Sequence, residues 1–135
     1  MKIYFAGSIR GGRDDQKIYS DIILDLGNYG SVLTEHVGDE ALLVTGEQRT
    51  DSYIFDRDVS WVKESDIIIA EVTTPSLGVG YEIGLAESLG KRVVCVYRKI
   101  EGKRLSAMVA GNSKMEIHEY SSLDDLKNIF KKILS

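Results

Sequence analysis

Short apolar runs alternate along the chain with longer stretches in which apolar residues recur every three or four positions. The runs have the length that is typical of β-strands, and they cover residues 3–6, 31–34, 67–70 and 93–97. The run 67–70 is continuously apolar, as expected for a parallel strand that is covered on both faces. The segment around Ile117 alternates polar and apolar residues more regularly, and we expect it at an edge of the sheet.

The stretches between these runs have the periodicity of amphipathic helices. They cover residues 14–26, 51–64, 79–89 and 123–134. Strands and helices that alternate in this way predict an α/β fold, namely a doubly wound, flavodoxin-like or Rossmann-like parallel sheet of about five strands with helices on both faces. We expect residues 1–135 to form a single domain of this kind. Such sheets bind ligands beyond the carboxyl ends of their strands, so we expect the functional site there.

Composition and charge exclude several classes of protein. Of the 135 residues, 43% are hydrophobic, which excludes a disordered chain, and no apolar run is long enough to span a membrane. The net charge of −4 argues against binding to a nucleic acid polymer or an anionic membrane, which need clustered basic residues. Cys95 is the single cysteine and the folded pattern begins at once, so we expect a cytoplasmic protein without a signal peptide. Two histidines without ligand spacing predict no metal site.

Glycine is concentrated in two short loops that we expect just beyond two of the predicted strands, and the second loop overlaps the predicted helix 79–89. The two groups are Gly7, Gly11 and Gly12, and Gly78, Gly80 and Gly84. With Ser8 and Arg10, the first group would form a cradle for an anion, but such a turn also fits a role in packing alone. The second group lacks the dinucleotide-binding spacing and places Glu82 in the first turn of the next helix. Glu82 would either complement the helix dipole or supply a carboxylate at the mouth of a pocket.

Asp58 lies within an apolar stripe of the predicted helix 51–64. It shares its face with three residues at helical spacing, which are Ile54, Trp61 and Val62. Burying an unpaired carboxylate is costly, so we expect Asp58 to be partly buried and either to meet a cation or donor or to serve a site. Its neighbours Asp56 and Arg57 are expected to be solvated charges.

Three further residues bear on the chemistry. Tyr4 belongs to the first strand, where its buried hydroxyl needs a partner, and His36 lies at the ligand-binding end of the second strand. Cys95 lies in an apolar strand and is expected to be a small buried hydrophobe rather than a nucleophile. Two carboxylates are the usual means of breaking a glycosidic bond, and a phosphate cradle beside them would make the substrate a nucleotide.

Four blocks of sequence carry a resemblance to a known family. They are YFAGSIRGGR at 4–13, VLTEH at 32–36, AEVT and PSLGVGYE within 70–82, and LSAM at 105–108. Together they resemble the 2′-deoxynucleoside 5′-monophosphate N-glycosidases, which are relatives of the nucleoside 2-deoxyribosyltransferases. The resemblance implies that Glu82 is the nucleophile at the anomeric carbon and that Asp58 and Tyr4 assist it. Water would then resolve a 2-deoxyribosyl ester of Glu82, so that the products are a free base and 2-deoxyribose 5-phosphate.

The same resemblance implies how the substrate is held. The phosphate would contact Ser8, Arg10, Ser76 and the backbone of Gly11. Further ligand-lining positions are Phe5, Ala6, Gly7, Ile9, Tyr19, His36, Gly78, Ala107 and Met108. Ser106 matches a serine that enters the neighbouring subunit's site, which implies a homodimer with shared pockets. The implied partner is a small deoxynucleotide, and no cofactor is implied.

Three alternatives remain open. A nucleoside 2-deoxyribosyltransferase would pass the sugar to a second base, a non-catalytic sensor would bind the nucleotide without cleaving it, and an interaction module would use neither carboxylate. The phosphate contacts expected from Ser8, Arg10, Ser76 and Ser106 favour hydrolysis of monophosphates. The polar stretch 38–50 fits either a lid or a surface loop, and the preferred base is left open.

Overall fold

A five-stranded parallel sheet forms the centre of the molecule. The structure, a computed structural model, describes residues 1–8, 13–34 and 49–135. The strands are β1 Lys2–Ala6, β2 Ser31–Val32, β3 Ile67–Glu71, β4 Arg92–Arg98 and β5 Glu116–Tyr120. Their order is β2-β1-β3-β4-β5 and every neighbouring pair is parallel, which confirms the predicted fold class and the edge position of the strand around Ile117.

Helices cover both faces of this sheet. In the described ranges they are α1 Arg13–Leu26, α2 Asp51–Glu64, α3 Leu77–Ser88, α4 Ala107–Ala110 and α5 Leu123–Leu134. Side-chain oxygens cap four of them, because Thr50, Ser76, Ser106 and Ser122 accept hydrogen bonds from backbone N–H groups of the first turns of α2, α3, α4 and α5. The predicted bounds of α2 and α5 are confirmed. None of the helices in the described part of the chain is long and apolar enough to cross a membrane.

The prediction for the second glycine group was wrong. The helix α3 begins at Leu77, so Gly78, Gly80 and Gly84 lie inside it rather than in a loop, and Glu82 lies in its second turn. No φ of these glycines is positive, and a Cβ added at Gly80 or Gly84 would meet open space. The Ser76 cap and the burial of Val79 and Ile83 hold the helix despite its glycines.

Alternation along the strands separates two cores. Ile3 and Phe5 of β1 point to the face covered by α1 and α5, whereas Tyr4 and Ala6 point to the face covered by α2 and α3. Cys95 is fully buried in the second core, which confirms the prediction of a small hydrophobe. Because β1 has β2 on one side and β3 on the other, the chain reverses its winding direction between β1 and β3. The carboxyl ends of these two strands are therefore where a ligand crevice is expected.

Candidate active site

A cavity of about 310 Å³ lies between α2 and α3, the two helices on the face of the sheet to which Tyr4 points. It is lined by Asp51, Ile54, Phe55, Asp58, Val59, Val62, Gly78, Tyr81, Glu82 and Leu85. The structure thus brings together the two predicted carboxylates, one from each helix, on the walls of one cavity. Most of the remaining lining is apolar, so a charge in this cavity has little polar surface around it.

Tyr4 connects the first strand to this cavity. Its side chain is only 1% exposed and lies in the core beneath α3. Its hydroxyl donates a hydrogen bond to Oε2 of Glu82. A buried tyrosine hydroxyl needs a partner, and here the partner is a carboxylate that lines the cavity. The structure therefore joins Tyr4 to Glu82, as expected for a pair that works together.

The environment of Glu82 alters its ionisation. Burial beside the apolar walls raises the pKa of Glu82 from 4.5 to about 8. Desolvation is the cause of this shift, because burial disfavours the charged form of a carboxyl group. A strongly perturbed carboxyl group in a cavity is typical of a functional site.

Asp58 is held by its neighbour in the chain. Nε and Nη2 of Arg57 both lie 2.9 Å from Oδ1 of Asp58, whose side chain is 23% exposed. The prediction that Asp58 is partly buried and meets a cation is confirmed. The prediction that Arg57 is solvated was wrong, since its side chain is only 16% exposed. Its guanidinium lies 4.8 Å from the ring centre of Trp61 and 5.7 Å from that of Tyr53. These cation–π contacts hold the guanidinium close to the surface of the helix.

The described residues beside the predicted phosphate cradle are closely packed and hydrogen-bonded. Ser8 is 8% exposed, and its backbone N–H donates to the hydroxyl of Tyr19 at 3.0 Å. A Cβ at Gly7 would lie 2.9 Å from the Tyr19 ring, so the chain approaches this ring as only glycine allows. The hydroxyl of Ser76 accepts from the N–H of Val79 at 3.3 Å. The predicted contacts Ile9, Arg10, Gly11 and His36, and most of the stretch 38–50, lie outside the described residues.

The other predicted site residues fall into three groups. Phe5, Ala6 and Tyr19 have buried side chains in the two cores, whereas Gly78 lines the cavity. Ser106, Ala107 and Met108 are exposed at the start of α4, and Ser106 caps that short helix. In the described part of the chain these three residues do not line the cavity. Their roles toward a substrate stay predictions.

Sequence reasoning missed part of the cavity wall. Asp51, Phe55 and Tyr81 line the cavity, and the rings of Phe55 and Tyr81 lie 6.1 Å apart. The signal was present, because Phe55 precedes Asp58 by three residues on the same helix and Tyr81 adjoins Glu82. An aromatic pair of this kind offers flat apolar surface to a planar ligand.

Other chemistries find little support in the described residues. Burial raises the pKa of the Cys95 thiol to about 12, so it is not a thiolate at neutral pH. Within residues 1–8, 13–34 and 49–135, no group of three or more His, Cys, Asp or Glu side chains is placed to hold a metal ion.

The fold is a doubly wound parallel sheet, and its cavity brings together two carboxylates, one of which accepts a hydrogen bond from a buried tyrosine hydroxyl. Paired carboxylates are the usual means by which enzymes break glycosidic bonds. The family model described as nucleoside 2-deoxyribosyltransferase matches residues 3–124. The chain belongs to this family, which confirms the resemblance found in the sequence.

Similar proteins agree with this assignment. The chain is 49% identical over 136 residues to a 5-hydroxymethyl-dUMP N-hydrolase from Danio rerio, covering 98% of this chain and 94% of that protein. It is 46% identical over 140 residues to one from Tetraodon nigroviridis, covering 100% and 98% of the two chains. The solved structure of a CMP N-glycosidase from Clostridium botulinum has a TM-score of 0.71 at 19% identity, covering 97% of this chain and 99% of that one, and shows the shared fold.

Proposed function

We propose that this protein hydrolyses the N-glycosidic bond of 2′-deoxynucleoside 5′-monophosphates to a free base and 2-deoxyribose 5-phosphate. The observation that carries the proposal is the carboxyl group of Glu82, which is desolvated in the cavity and bonded to the Tyr4 hydroxyl. The relatives named 5-hydroxymethyl-dUMP N-hydrolases, at 46% and 49% identity over nearly the whole chain, support the reaction and the substrate class. Their printed name also makes 5-hydroxymethyl-dUMP the first substrate to test.

In the proposed first step, an ionised oxygen of Glu82 attacks C1′ of the sugar. The C1′–N bond breaks, its electron pair leaves with the base, the base takes up a proton from the solvent, and a 2-deoxyribosyl ester of Glu82 forms. Positive charge develops at C1′ as the base departs, and a carboxylate in a poorly solvated cavity stabilises that charge strongly. A 2-deoxy sugar lacks the 2′-hydroxyl that would destabilise this charge, so the cavity needs to supply less stabilisation.

The ionisation of Glu82 is part of this mechanism. With a pKa of about 8 in the empty site, Glu82 is mostly protonated at neutral pH. The hydrogen bond that Tyr4 donates favours the carboxylate, and so does the positive charge that develops at C1′. Glu82 therefore becomes a nucleophile mainly in the presence of the substrate that needs it.

Asp58 is proposed to handle the proton of the attacking water in the second step. Water adds to C1′, the ester bond to Glu82 breaks, and the proton lost by the water passes to Asp58. Asp58 then releases this proton to the solvent, which balances the proton taken up by the departing base. Two donors of Arg57 converge on Oδ1 of Asp58, and they hold this oxygen in place at the cavity wall. The products are then 2-deoxyribose 5-phosphate and the regenerated carboxylate of Glu82.

We also propose that the protein is a homodimer in which Ser106 enters the partner's cavity. Leu77 is 96% exposed and Met108 is 84% exposed, and Tyr81 is exposed at the cavity. Large apolar side chains that are this exposed are typical of a protein interface. Ser106 and Met108 do not line the cavity of their own chain within the described residues, which fits a role in a neighbouring one. We expect this dimer to act in the cytoplasm as a single-domain protein.

The test of the activity is a chromatographic screen for released base. The purified protein is incubated with 5-hydroxymethyl-dUMP, with the common deoxynucleoside and ribonucleoside monophosphates, and with the matching deoxynucleosides. We expect base release from deoxynucleoside monophosphates only. Binding of these nucleotides without release of base over hours would identify a sensor and contradict the proposal.

A second free base in the same reaction distinguishes hydrolysis from transfer. A hydrolase forms 2-deoxyribose 5-phosphate whether or not the second base is present, whereas a transferase forms an exchanged nucleotide or nucleoside. Exchange as the main reaction would show that the sugar is passed to a base rather than to water. Rapid quenching followed by mass spectrometry of the intact protein would detect the ester on Glu82.

Mixing two inactive variants tests the shared site. In a dimer of Glu82→Gln with Ser106→Ala, one cavity combines both changes and the other combines neither. Random pairing of equal amounts places an intact site in half of the dimers, so we expect about a quarter of the wild-type activity to return at low substrate concentration. No recovery, in a mixture shown to exchange subunits, would place Ser106 outside the partner's site.

A further inference from the structure

A buried cluster of charged and hydroxyl side chains lies at the carboxyl ends of β3 and β4, outside the cavity. At its centre Glu71 is fully buried. Oε1 of Glu71 accepts the backbone N–H of Thr73 at 2.7 Å, and Oε2 accepts the hydroxyl of Thr73 at 2.9 Å and the hydroxyl of Tyr120. Burial of a carboxylate on this scale is stable only when its oxygens are satisfied in this way.

Arg98 joins this centre to α1. Its Nη2 donates to Oδ1 of Asp15 at 2.7 Å, and its Nε lies 3.8 Å from Oε2 of Glu71. Its backbone N–H donates to the hydroxyl of Thr73 at 2.9 Å. The second oxygen of Asp15 accepts the hydroxyl of Thr74 at 2.6 Å. Asp15 thus ties the first turn of α1 to the end of β4 and to the segment after β3.

The hydrogen bonds of Asp15, Thr74 and Ser8 lie next to the two segments that are predicted to contact the phosphate. Residues 9–12 lie between Ser8, whose N–H is bonded to Tyr19, and the start of α1, which Asp15 anchors. Thr74 lies two residues before Ser76, the other predicted phosphate contact. The flanks of both segments that would contact the phosphate are therefore bonded either to the cluster or to Tyr19, whose ring packs against Phe5 in the same core.

We propose that Arg98 and Asp15 are positioning residues, which hold two segments, the start of α1 and residues 74–76, in the relative position that a bound 5′-phosphate needs. The proposal rests on the proposed function, since it takes a phosphate group to be bound by these segments. Neither residue lines the cavity, so each acts through the segment that it anchors. Charge-assisted hydrogen bonds in a poorly solvated cluster fix a geometry well, and small displacements of a binding group are costly.

The test compares two arginines at opposite ends of the same strand. Arg98→Lys keeps the positive charge but removes the guanidinium that reaches Asp15 and Glu71 together. Arg92→Lys is the matched control, because Arg92 makes a two-point contact with Glu116 at the start of β4, away from the carboxyl end of the sheet. Thr74→Val is a milder second variant, since it removes one hydroxyl and its bond to Asp15 at nearly constant volume.

The KM and the Kd of the variants distinguish a positioning role from a purely structural one. For Arg98→Lys we expect the KM for a deoxynucleoside monophosphate and the Kd for 2-deoxyribose 5-phosphate to rise about tenfold, with kcat changed less than about threefold. Thr74→Val should shift both constants in the same direction, and Arg92→Lys should leave them unchanged. Constants like those of the wild type in folded Arg98→Lys, or in Thr74→Val if Arg98→Lys does not fold, would overturn the proposal.

The binding measurement does not depend on turnover, so the two proposals can fail separately. Wild-type protein that binds 2-deoxyribose 5-phosphate but releases no base would contradict the hydrolase and leave the positioning role to be decided by the Kd of the variants. Wild-type protein that hydrolyses monophosphates, with unaltered KM and Kd in the variants, would contradict the positioning role alone. Wild-type protein that neither binds the sugar phosphate nor acts on monophosphates would contradict both.

Discussion

Replacing Glu82 with glutamine should remove activity and, at the same time, make the fold more stable at neutral and alkaline pH. Glutamine keeps the size of the side chain and an oxygen that can accept from Tyr4, but it cannot ionise or form the ester. We expect base release to fall at least about a thousandfold, which corresponds to a loss of about 4 kcal/mol of transition-state stabilisation. The gain in stability follows from the pKa of Glu82.

The sign and size of that gain can be worked out from the structure. The pKa of Glu82 is about 8 in the folded protein and 4.5 without perturbation, so between these values the unfolded chain loses a proton that the folded chain keeps. Folding stability therefore falls as the pH rises through this range, by at most about 1.4 kcal/mol per pH unit. From about pH 5 to about pH 8 this amounts to about 3.5 kcal/mol, and solvent entering the cavity mouth reduces it to about 2 kcal/mol.

The assay is urea denaturation of both proteins at several pH values across this range. The difference in unfolding free energy, Glu82→Gln minus wild type, should grow steadily with pH, because other titrating groups are common to both proteins. Glu101→Gln, at an exposed carboxyl group in the turn after β4, controls for the loss of one negative charge. A difference that stays constant from about pH 5 to about pH 8 would refute the desolvation of Glu82.

Three other substitutions test separate parts of the site. Tyr4→Phe removes the donor to the nucleophile, so the pH profile of kcat/KM should move to higher pH and kcat should fall at least about tenfold; an unmoved profile would contradict this. Gly7→Ala places a Cβ 2.9 Å from the Tyr19 ring and should lower the unfolding free energy by about 1–3 kcal/mol, whereas unchanged stability in denaturation would refute the close contact. Arg57→Lys keeps the charge beside Asp58 but loses the two donors that converge on its Oδ1. We expect kcat to fall about tenfold in a steady-state assay, while thermal unfolding changes little. A kcat equal to that of the wild type would show that Arg57 has no role in orienting the carboxylate.

The sequence predicted the elements whose signals are local. The bounds of α2 and α5 could be predicted because each has an apolar stripe and a hydroxyl cap, Thr50 or Ser122, just before it. The start of α3 was misplaced because Gly78 and Gly80 were weighed as loop residues. In the fold, the cap at Ser76 and the burial of Val79 outweigh the low helix propensity of glycine.

The sequence predicted only those features of the site that depend on residues sharing one face of a helix. The burial of Asp58 follows from its apolar neighbours, but its partner Arg57 does not, because adjacent helical residues point in different directions. That ion pair forms because Tyr53 and Trp61, four residues away on each side of Arg57, hold the guanidinium against the helix. The bond from Arg98 to Asp15 joins residues 83 apart in the chain, and no local pattern indicates it.

The groups on the two faces of the sheet have different roles in this site. On the face covered by α2 and α3, an apolar wall makes the charge on Glu82 costly, and that cost is what makes the carboxylate effective at a carbon that becomes positive. On the face covered by α1 and α5, the cluster around Glu71 binds its charges tightly and fixes the segments beside Ser8 and Ser76. A desolvated carboxylate works best on a substrate that other groups hold in place, since binding energy from a remote phosphate can then offset the cost of ionising Glu82. The buried cluster and the desolvated nucleophile therefore depend on each other in this mechanism. Weakening the cluster should impair substrate binding more than it impairs the chemical step.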